Sequence, residues 1–229
     1  MSSHHVRPQA VVFDLDGLMF NTEELYQGVG TEILRRRGCD FPGELLNRMM
    51  GRPGRVALQI MIDWHGLSDS VEQLARETDE IFAGILDTQL RMMPGLAELL
   101  TALEAAGIPK AVATSSGRRF TTNVLSRFNL EPRFAFLLTA EDVVEGKPHP
   151  EIYLTAARRL GVEPAHMVVL EDSQNGCRAA VSAGAIAVAV PGGHSRTHDF
   201  TGAALVIDTL ADPHLDRLLE LPRDNRSSV

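Results

Sequence analysis

The chain has 229 residues, of which 44% are apolar and 23% charged, and it carries a net charge of -8. This is enough for one full domain with a modest second lobe, and the balance excludes disordered and fibrous classes. The acidic balance also excludes a general attraction for nucleic acid or anionic lipid, so any phosphate-bearing partner must be captured by a local positive site.

No run of residues reads as a membrane span, and the first eight residues lack the apolar stretch of a signal sequence. Cys39 and Cys177 lie far apart and follow no metal or redox spacing. The expectation is a soluble cytoplasmic protein with reduced, packed thiols, a monomer or weak dimer with no membrane partner.

In chain order, residues 10–16 form an apolar, β-branched run that ends in Asp14, Asp16 and Gly17, which predicts a buried strand with polar chemistry at its C-terminal end. The next stretch holds helical patterns over 22–37, 43–50, 55–64 and 71–90, with breaks at Gly and Pro and no convincing strand. It is expected to be a helical insertion spanning 19–92. A helix over 96–106 follows, stopped by Gly107. Strands are predicted at 110–114, 134–138, 167–171, 186–190 and 204–207, with helices at 123–128, 151–160 and 176–183 between them. Such alternation predicts an α/β core of residues 1–18 and 93–229, built on a doubly wound parallel sheet with right-handed crossovers.

In an open sheet of this kind, ligands bind beyond the carboxyl ends of the strands. The polar residues just past the predicted strands are Asp14 and Asp16, then Thr114, Ser115, Ser116 and Gly117, then Gly146 and Lys147, then Glu171 and Asp172. Gathered carboxylates repel one another unless a hard cation sits among them, and Mg²⁺, which prefers oxygen ligands, meets that need. A lysine and a threonine nearby suit phosphate oxygens. Taken alone, Lys147 would pass for an ordinary loop lysine, but its place between the other segments argues otherwise; Thr114-Ser-Ser-Gly117 is expected to cap the next helix as well as to bind phosphate.

Four segments together resemble the haloacid dehalogenase superfamily, in the branch with a small helical cap that includes β-phosphoglucomutase-like and pseudouridine-5′-phosphatase-like phosphatases. They are Asp14-Leu-Asp-Gly-Leu-Met-Phe-Asn-Thr22, Val112-Ala-Thr-Ser-Ser-Gly117, Gly146-Lys-Pro-His-Pro150 and Leu170-Glu-Asp-Ser-Gln-Asn-Gly176. The resemblance implies a Rossmann-like core with an inserted α-helical cap domain. It also implies a Mg²⁺-dependent phosphatase acting on small phosphorylated metabolites, such as sugar or nucleoside phosphates, through an aspartyl phosphate. Under it Asp14 is the nucleophile and Asp16 the general acid and base, with the Asp16 carbonyl also a metal ligand. Asp14, Asp172 and Glu171 supply the carboxylates around the metal, Glu171 directly or through water. Thr114, Lys147 and the backbone near Ser115 hold the phosphoryl oxygens.

The pattern is departed from in several places. Asn21 replaces the usual aspartate and is expected to cap the first helix of the insertion. Tyr26 stands where mutases carry a histidine, which weighs against a hexose-phosphate mutase. Arg52, Arg55 and Ser116 are further candidates for substrate contact. Asp16 itself argues for phosphate over halide, since a departing halide needs no proton. The alternative of another class is a non-catalytic ligand- or protein-binding module on the same fold.

Overall fold

The structure, a computed structural model, describes residues 7–49, 52 and 54–221. Six strands form one sheet: β1 (Ala10–Phe13), β2 (Lys110–Ala113), β3 (Leu137–Leu138), β4 (Met167–Glu171), β5 (Ile186–Ala189) and β6 (Leu205–Val206). Their order is β3-β2-β1-β4-β5-β6 and every pairing is parallel. All residues of β1, β2 and β4 are buried. A strand with no wet face has to lie inside a sheet covered on both sides, and these three occupy its middle.

Residues that alternate along the strands face opposite layers. Ala10 and Val12 of β1, Met167 and Val169 of β4 and Ala187 of β5 share one apolar cluster with Ile152, Tyr153 and Ala156 of α7 (Glu151–Leu160) and Ala179 and Ala180 of α8 (Gln174–Ser182). The apolar stripe of α5 (Leu96–Ala105) buries Leu96, Leu99, Leu100 and Leu103, and α6 (Arg118–Arg127) buries Val124 and Leu125. On β1, Phe13 packs edge-on against Phe134 at 5.8 Å between ring centroids. A last short helix, α9 (Pro213–Leu218), starts on Asp212, whose carboxylate accepts from the His214 amide at 2.8 Å.

The chain forms two compact units, one of Met1–Phe20 with Met92–Val229, the other of Asn21–Arg91. The second unit is wholly helical among its described residues, with α1 (Thr22–Arg35), α2 (Gly43–Met49), α3 (Gly54–His65) and α4 (Val71–Gln89). Ser70 and Gln73 form a reciprocal capping box that starts α4. Arg37, just beyond α1, binds Asp69 through two nitrogens at 2.8 and 3.0 Å and Glu77 at 2.7 Å, which ties the end of α1 to α4. The predicted helix end at Met50 and the Gly51 and Pro53 break lie outside the described residues, as do the chain start and residues 222–229.

Three local expectations are corrected. The predicted strand over 134–138 is regular only at Leu137–Leu138, although bonding to β2 begins earlier, with the Ala135 amide on the Lys110 carbonyl at 2.8 Å and the Val112 amide on the Phe136 carbonyl at 3.2 Å. The helix expected at 123–128 begins at Arg118 instead, where the Glu141 carboxylate accepts from the Arg118 amide at 3.0 and 3.1 Å, a cap supplied from far along the chain. Asn21 makes no side-chain cap for α1. Its side chain instead accepts from the Arg91 amide at 2.8 Å and donates to the Gln89 carbonyl at 3.2 Å, while its own amide donates to the Arg91 carbonyl at 3.2 Å. Asn21 therefore fastens the two ends of the helical unit to each other.

Candidate active site

β1 ends at Phe13, yet the next residue stays in register: the Asp14 amide donates to the Leu170 carbonyl of β4 at 3.0 Å. Asp14 is thus held by backbone at the strand end with its carboxylate almost fully buried. The chain then turns sharply. Gly17 takes φ of 74°, a left-handed conformation that costs other residues about 1–2 kcal/mol. The Met19 and Phe20 amides both return to the Leu15 carbonyl, at 3.0 and 3.3 Å, closing a tight loop that carries Asp16.

Lys147 reaches this point from the loop before α7. That loop is tied down by Glu151, whose two oxygens accept from the Val144 and Glu145 amides at 3.0 and 2.9 Å. The Lys147 ammonium donates to Asp14 Oδ1 at 2.5 Å, Glu171 Oε1 at 2.7 Å and the Ala113 carbonyl at 3.0 Å. An ammonium has three protons, and all three are placed. Burial alone would favour the neutral amine, but the Asp14 and Glu171 carboxylates hold the Lys147 pKa well above its ordinary value. It remains charged.

Glu171, the last residue of β4, is completely buried. Its Oε1 also accepts from the Tyr153 hydroxyl at 2.5 Å, and its Oε2 accepts from the Ser173 amide at 3.3 Å and hydroxyl at 3.0 Å. Both oxygens are held from two sides. The Lys147 nitrogen also lies 5.1 Å from the Tyr153 ring centroid. Burial and the Glu171 charge push the Tyr153 phenol well up, so it stays protonated and acts as a donor. The room for this carboxylate comes from Gly176 in α8: a Cβ there would lie 1.8 Å from Glu171 Oε1.

One oxygen from each of Asp14, Glu171 and Asp172 falls within 4.8 Å of the others. With Asp16 beside them, four carboxylates face one ammonium. Burial pushes the Asp14 carboxyl well above the usual range, against the pull of Lys147, and Glu171 and Asp16 push the same way. The group is short of positive charge, and a hard dication with oxygen ligands fits that deficit. Asp14 and Asp172 suit direct ligation, whereas Glu171 already has each oxygen engaged twice.

Past β2, the Thr114 amide stays in the ladder, bonding the Leu138 carbonyl at 3.0 Å. The Thr114 hydroxyl accepts from the Ser116 amide at 3.0 Å and donates to Asp16 Oδ2 at 3.3 Å. Ser116 Oγ donates to the same Asp16 oxygen at 2.6 Å. Ser115 is exposed between them. The core unit therefore brings together Asp14, Asp16, Thr114, Ser116, Lys147, Glu171 and Asp172. Tyr26, Arg52 and Arg55 belong to the helical unit. There the Tyr26 ring stacks on Phe82 at 4.4 Å, Arg55 pairs with Glu72, and Arg52 is exposed. Sequence reasoning missed Tyr153, Glu151 and the packing role of Gly176. Tyr153 and Glu151 stand directly behind the Lys147-Pro-His-Pro segment, but their spacing alone carries no sign of a hydroxyl or carboxylate turned back to it.

Residues 11–190 match the haloacid dehalogenase-like hydrolase family. The chain belongs to that family. Among relatives of this hydrolase, it is 36% identical over 176 residues to the "Phosphorylated carbohydrates phosphatase" of Thermotoga maritima, covering 77% of this chain and 82% of that protein. It is also 36% identical over 207 residues to the "Probable pseudouridine-5'-phosphatase" of Drosophila melanogaster, covering 88% and 89%. In structure the hydrolase resembles CbbY from Rhodobacter sphaeroides in complex with phosphate, with a TM-score of 0.77, 29% identity and coverage of 90% and 96%. Among the described residues of the hydrolase no helix is long and apolar enough to cross a membrane.

Proposed function

We propose that this hydrolase removes the phosphoryl group from small phosphomonoesters, sugar or nucleoside phosphates, with Mg²⁺ bound and Asp14 as covalent acceptor. The observation that carries this reading is the buried Lys147 ammonium, shared between Asp14 and Glu171 at the carboxyl ends of adjacent strands. A carboxylate can attack a phosphate dianion only where positive charge offsets the repulsion between them. Phosphatase relatives support the reaction class, and Asp16 is the group available to protonate a departing alkoxide.

In this reading an Asp14 oxygen bonds to phosphorus as the ester P–O bond breaks, and Asp16 gives its proton to the leaving oxygen. Asp16 then takes a proton from water as the water oxygen bonds to phosphorus and the aspartyl phosphate opens, releasing inorganic phosphate. Lys147 exchanges one of its three acceptors for a phosphoryl oxygen, and the backbone at Ser115 supplies a further donor. Asp14, Asp172 and the Asp16 carbonyl would hold the metal, with Glu171 supporting them from behind. When bound, Mg²⁺ supplies charge that stabilises the phosphoryl group in flight. The helical unit would act as the cap that selects the leaving group, with Tyr26, Arg52 and Arg55 as its contact candidates. A hexose-phosphate mutase is less favoured, because Tyr26 replaces the mutase histidine.

A phosphate-release screen over sugar phosphates, nucleotides and pseudouridine phosphate, with and without Mg²⁺, tests the proposal. Release should stop in excess chelator and return on adding Mg²⁺, and Asp14→Asn should abolish both turnover and labelling of the protein by phosphate. Undiminished turnover by Asp14→Asn would overturn the mechanism.

A further inference from the structure

Ser116 stands in the sequence only as a candidate for substrate contact, yet among the described residues its hydroxyl makes the shortest hydrogen bond to the Asp16 side chain. Ser116 Oγ donates to Asp16 Oδ2 at 2.6 Å and Thr114 Oγ1 donates to the same atom at 3.3 Å. The two hydroxyls are set by one turn, because the Ser116 amide donates to Thr114 Oγ1 at 3.0 Å. That turn is tied to the sheet by the Thr114 amide on the Leu138 carbonyl at 3.0 Å, and to the turn after β3 by the Ala140 amide on the Ser116 carbonyl at 3.1 Å. Asp16 itself sits in the tight loop after β1, where its backbone bridges to Phe20 and Oδ2 is held by these two hydroxyls. Its other oxygen, Oδ1, is buried and meets no hydrogen-bond partner among the described residues.

We propose that Ser116 is a positioning residue which pins Asp16 Oδ2 and so aims Asp16 Oδ1 as the atom that passes the proton to and from the reacting oxygens. The inference rests on the phosphatase reading above. Both halves of the reaction balance with this assignment. As the Asp14–phosphorus bond forms and the ester bond breaks, the proton leaves Oδ1 for the departing oxygen. When water attacks, its proton returns to Oδ1 as the Asp14–phosphorus bond opens. Ser116 neither gains nor loses a proton in either half. Its hydroxyl stays on Oδ2, so it does not contact phosphate.

A positioned proton donor matters most when the leaving oxygen is strongly basic, and such donors contribute roughly 10²–10⁴-fold. The test is therefore the dependence of kcat/KM on leaving group, measured on the Mg²⁺-loaded enzyme with substituted phenyl phosphates from p-nitrophenyl phosphate to phenyl phosphate. For Ser116→Ala the loss on phenyl phosphate should exceed that on p-nitrophenyl phosphate by about tenfold, steepening the slope, and Ser116→Thr should restore it. Asp16→Asn provides the limiting slope. An equal loss across the series in Ser116→Ala, with weaker inhibition by inorganic phosphate, would mean that Ser116 touches the phosphoryl group and would overturn the proposal. An unchanged slope in Ser116→Ala while Asp16→Asn steepens it would also overturn the proposal but leave the phosphatase reading intact. If Asp16→Asn leaves the slope where the wild type has it, the role of Asp16 falls and the proposal falls with it.

Discussion

Gly176→Ala places a single methyl group against a completely buried carboxylate that is held at both oxygens. The added Cβ would lie 1.8 Å from Glu171 Oε1, 1.9 Å from Cδ and 2.1 Å from Oε2. Glu171 cannot swing aside, since it is completely buried and held by Lys147, Tyr153 and Ser173. Making room means tearing the carboxylate from its partners, and breaking a buried ion pair costs about 3–5 kcal/mol. Against this, alanine improves on glycine within a helix by about 1 kcal/mol. The net expectation is a loss of about 2–4 kcal/mol in the core unit. Trp64, the only tryptophan, lies in α3 of the helical unit and does not report on the core. The fitting assay is hydrogen exchange at the β1 and β4 amides, with phosphate release alongside, since displaced Glu171 also releases Lys147. Gly84→Ala in α4 is the control: its Cβ would meet nothing within 4 Å, so it should be neutral or mildly stabilising. If Gly176→Ala protects the core as well as Gly84→Ala does, the argument from the Glu171 cradle is wrong.

Tyr153→Phe keeps the ring beside Lys147 but removes the hydroxyl on Glu171, and should cost about 1.5–3 kcal/mol, read from the same core amides; no change there would mean that the hydroxyl contributes nothing. Arg37→Met leaves Asp69 and Glu77 without their shared partner, and the helical unit should lose about 1–3 kcal/mol by Trp64 fluorescence in urea, less so in high salt. Glu104 binds Arg133 and Lys110, and its carboxyl is lowered from 4.5 to about 2, with the Arg133 hydrogen bond as the largest cause. A folded pKa below the unfolded one stabilises the native state above the unfolded value. That contribution should persist at neutral pH and fade as pH drops from about 4.5 toward 2. Glu104→Gln should flatten this limb in thermal unfolding measured across acid pH.

The buried central strands were legible because β1 and β4 are apolar runs that end in polar residues, and β2 is one after its opening Lys110. Asp14, Lys147 and Asp172 were traceable for the same reason: each follows or faces a strand end. What escaped the sequence was set by distant partners. The start of α6 depends on Glu141 reaching the Arg118 amide, and Asn21 reads as a helix cap until the far end of the helical unit is placed beside it. Tyr153 sits on the apolar stripe of α7, where its ring gives a reason for burial and its hydroxyl gives no periodic signal. Gly176 looks like one more small residue in a helix, since the demand for it comes from a side chain five residues earlier in the sequence.

The pairing of Asn21 with Arg91 makes the helical unit a closed cassette. Because its first and last residues are already fastened together, whatever lies between them adds little closure entropy; doubling the length of such a loop costs only about 0.6 kcal/mol. The core has its own matching seam, where Phe20 bridges Met92. A gene encoding this protein can therefore lengthen, shorten or exchange the segment between those seams without disturbing the strand ends that carry Asp14 and Asp172 or the loop that carries Lys147.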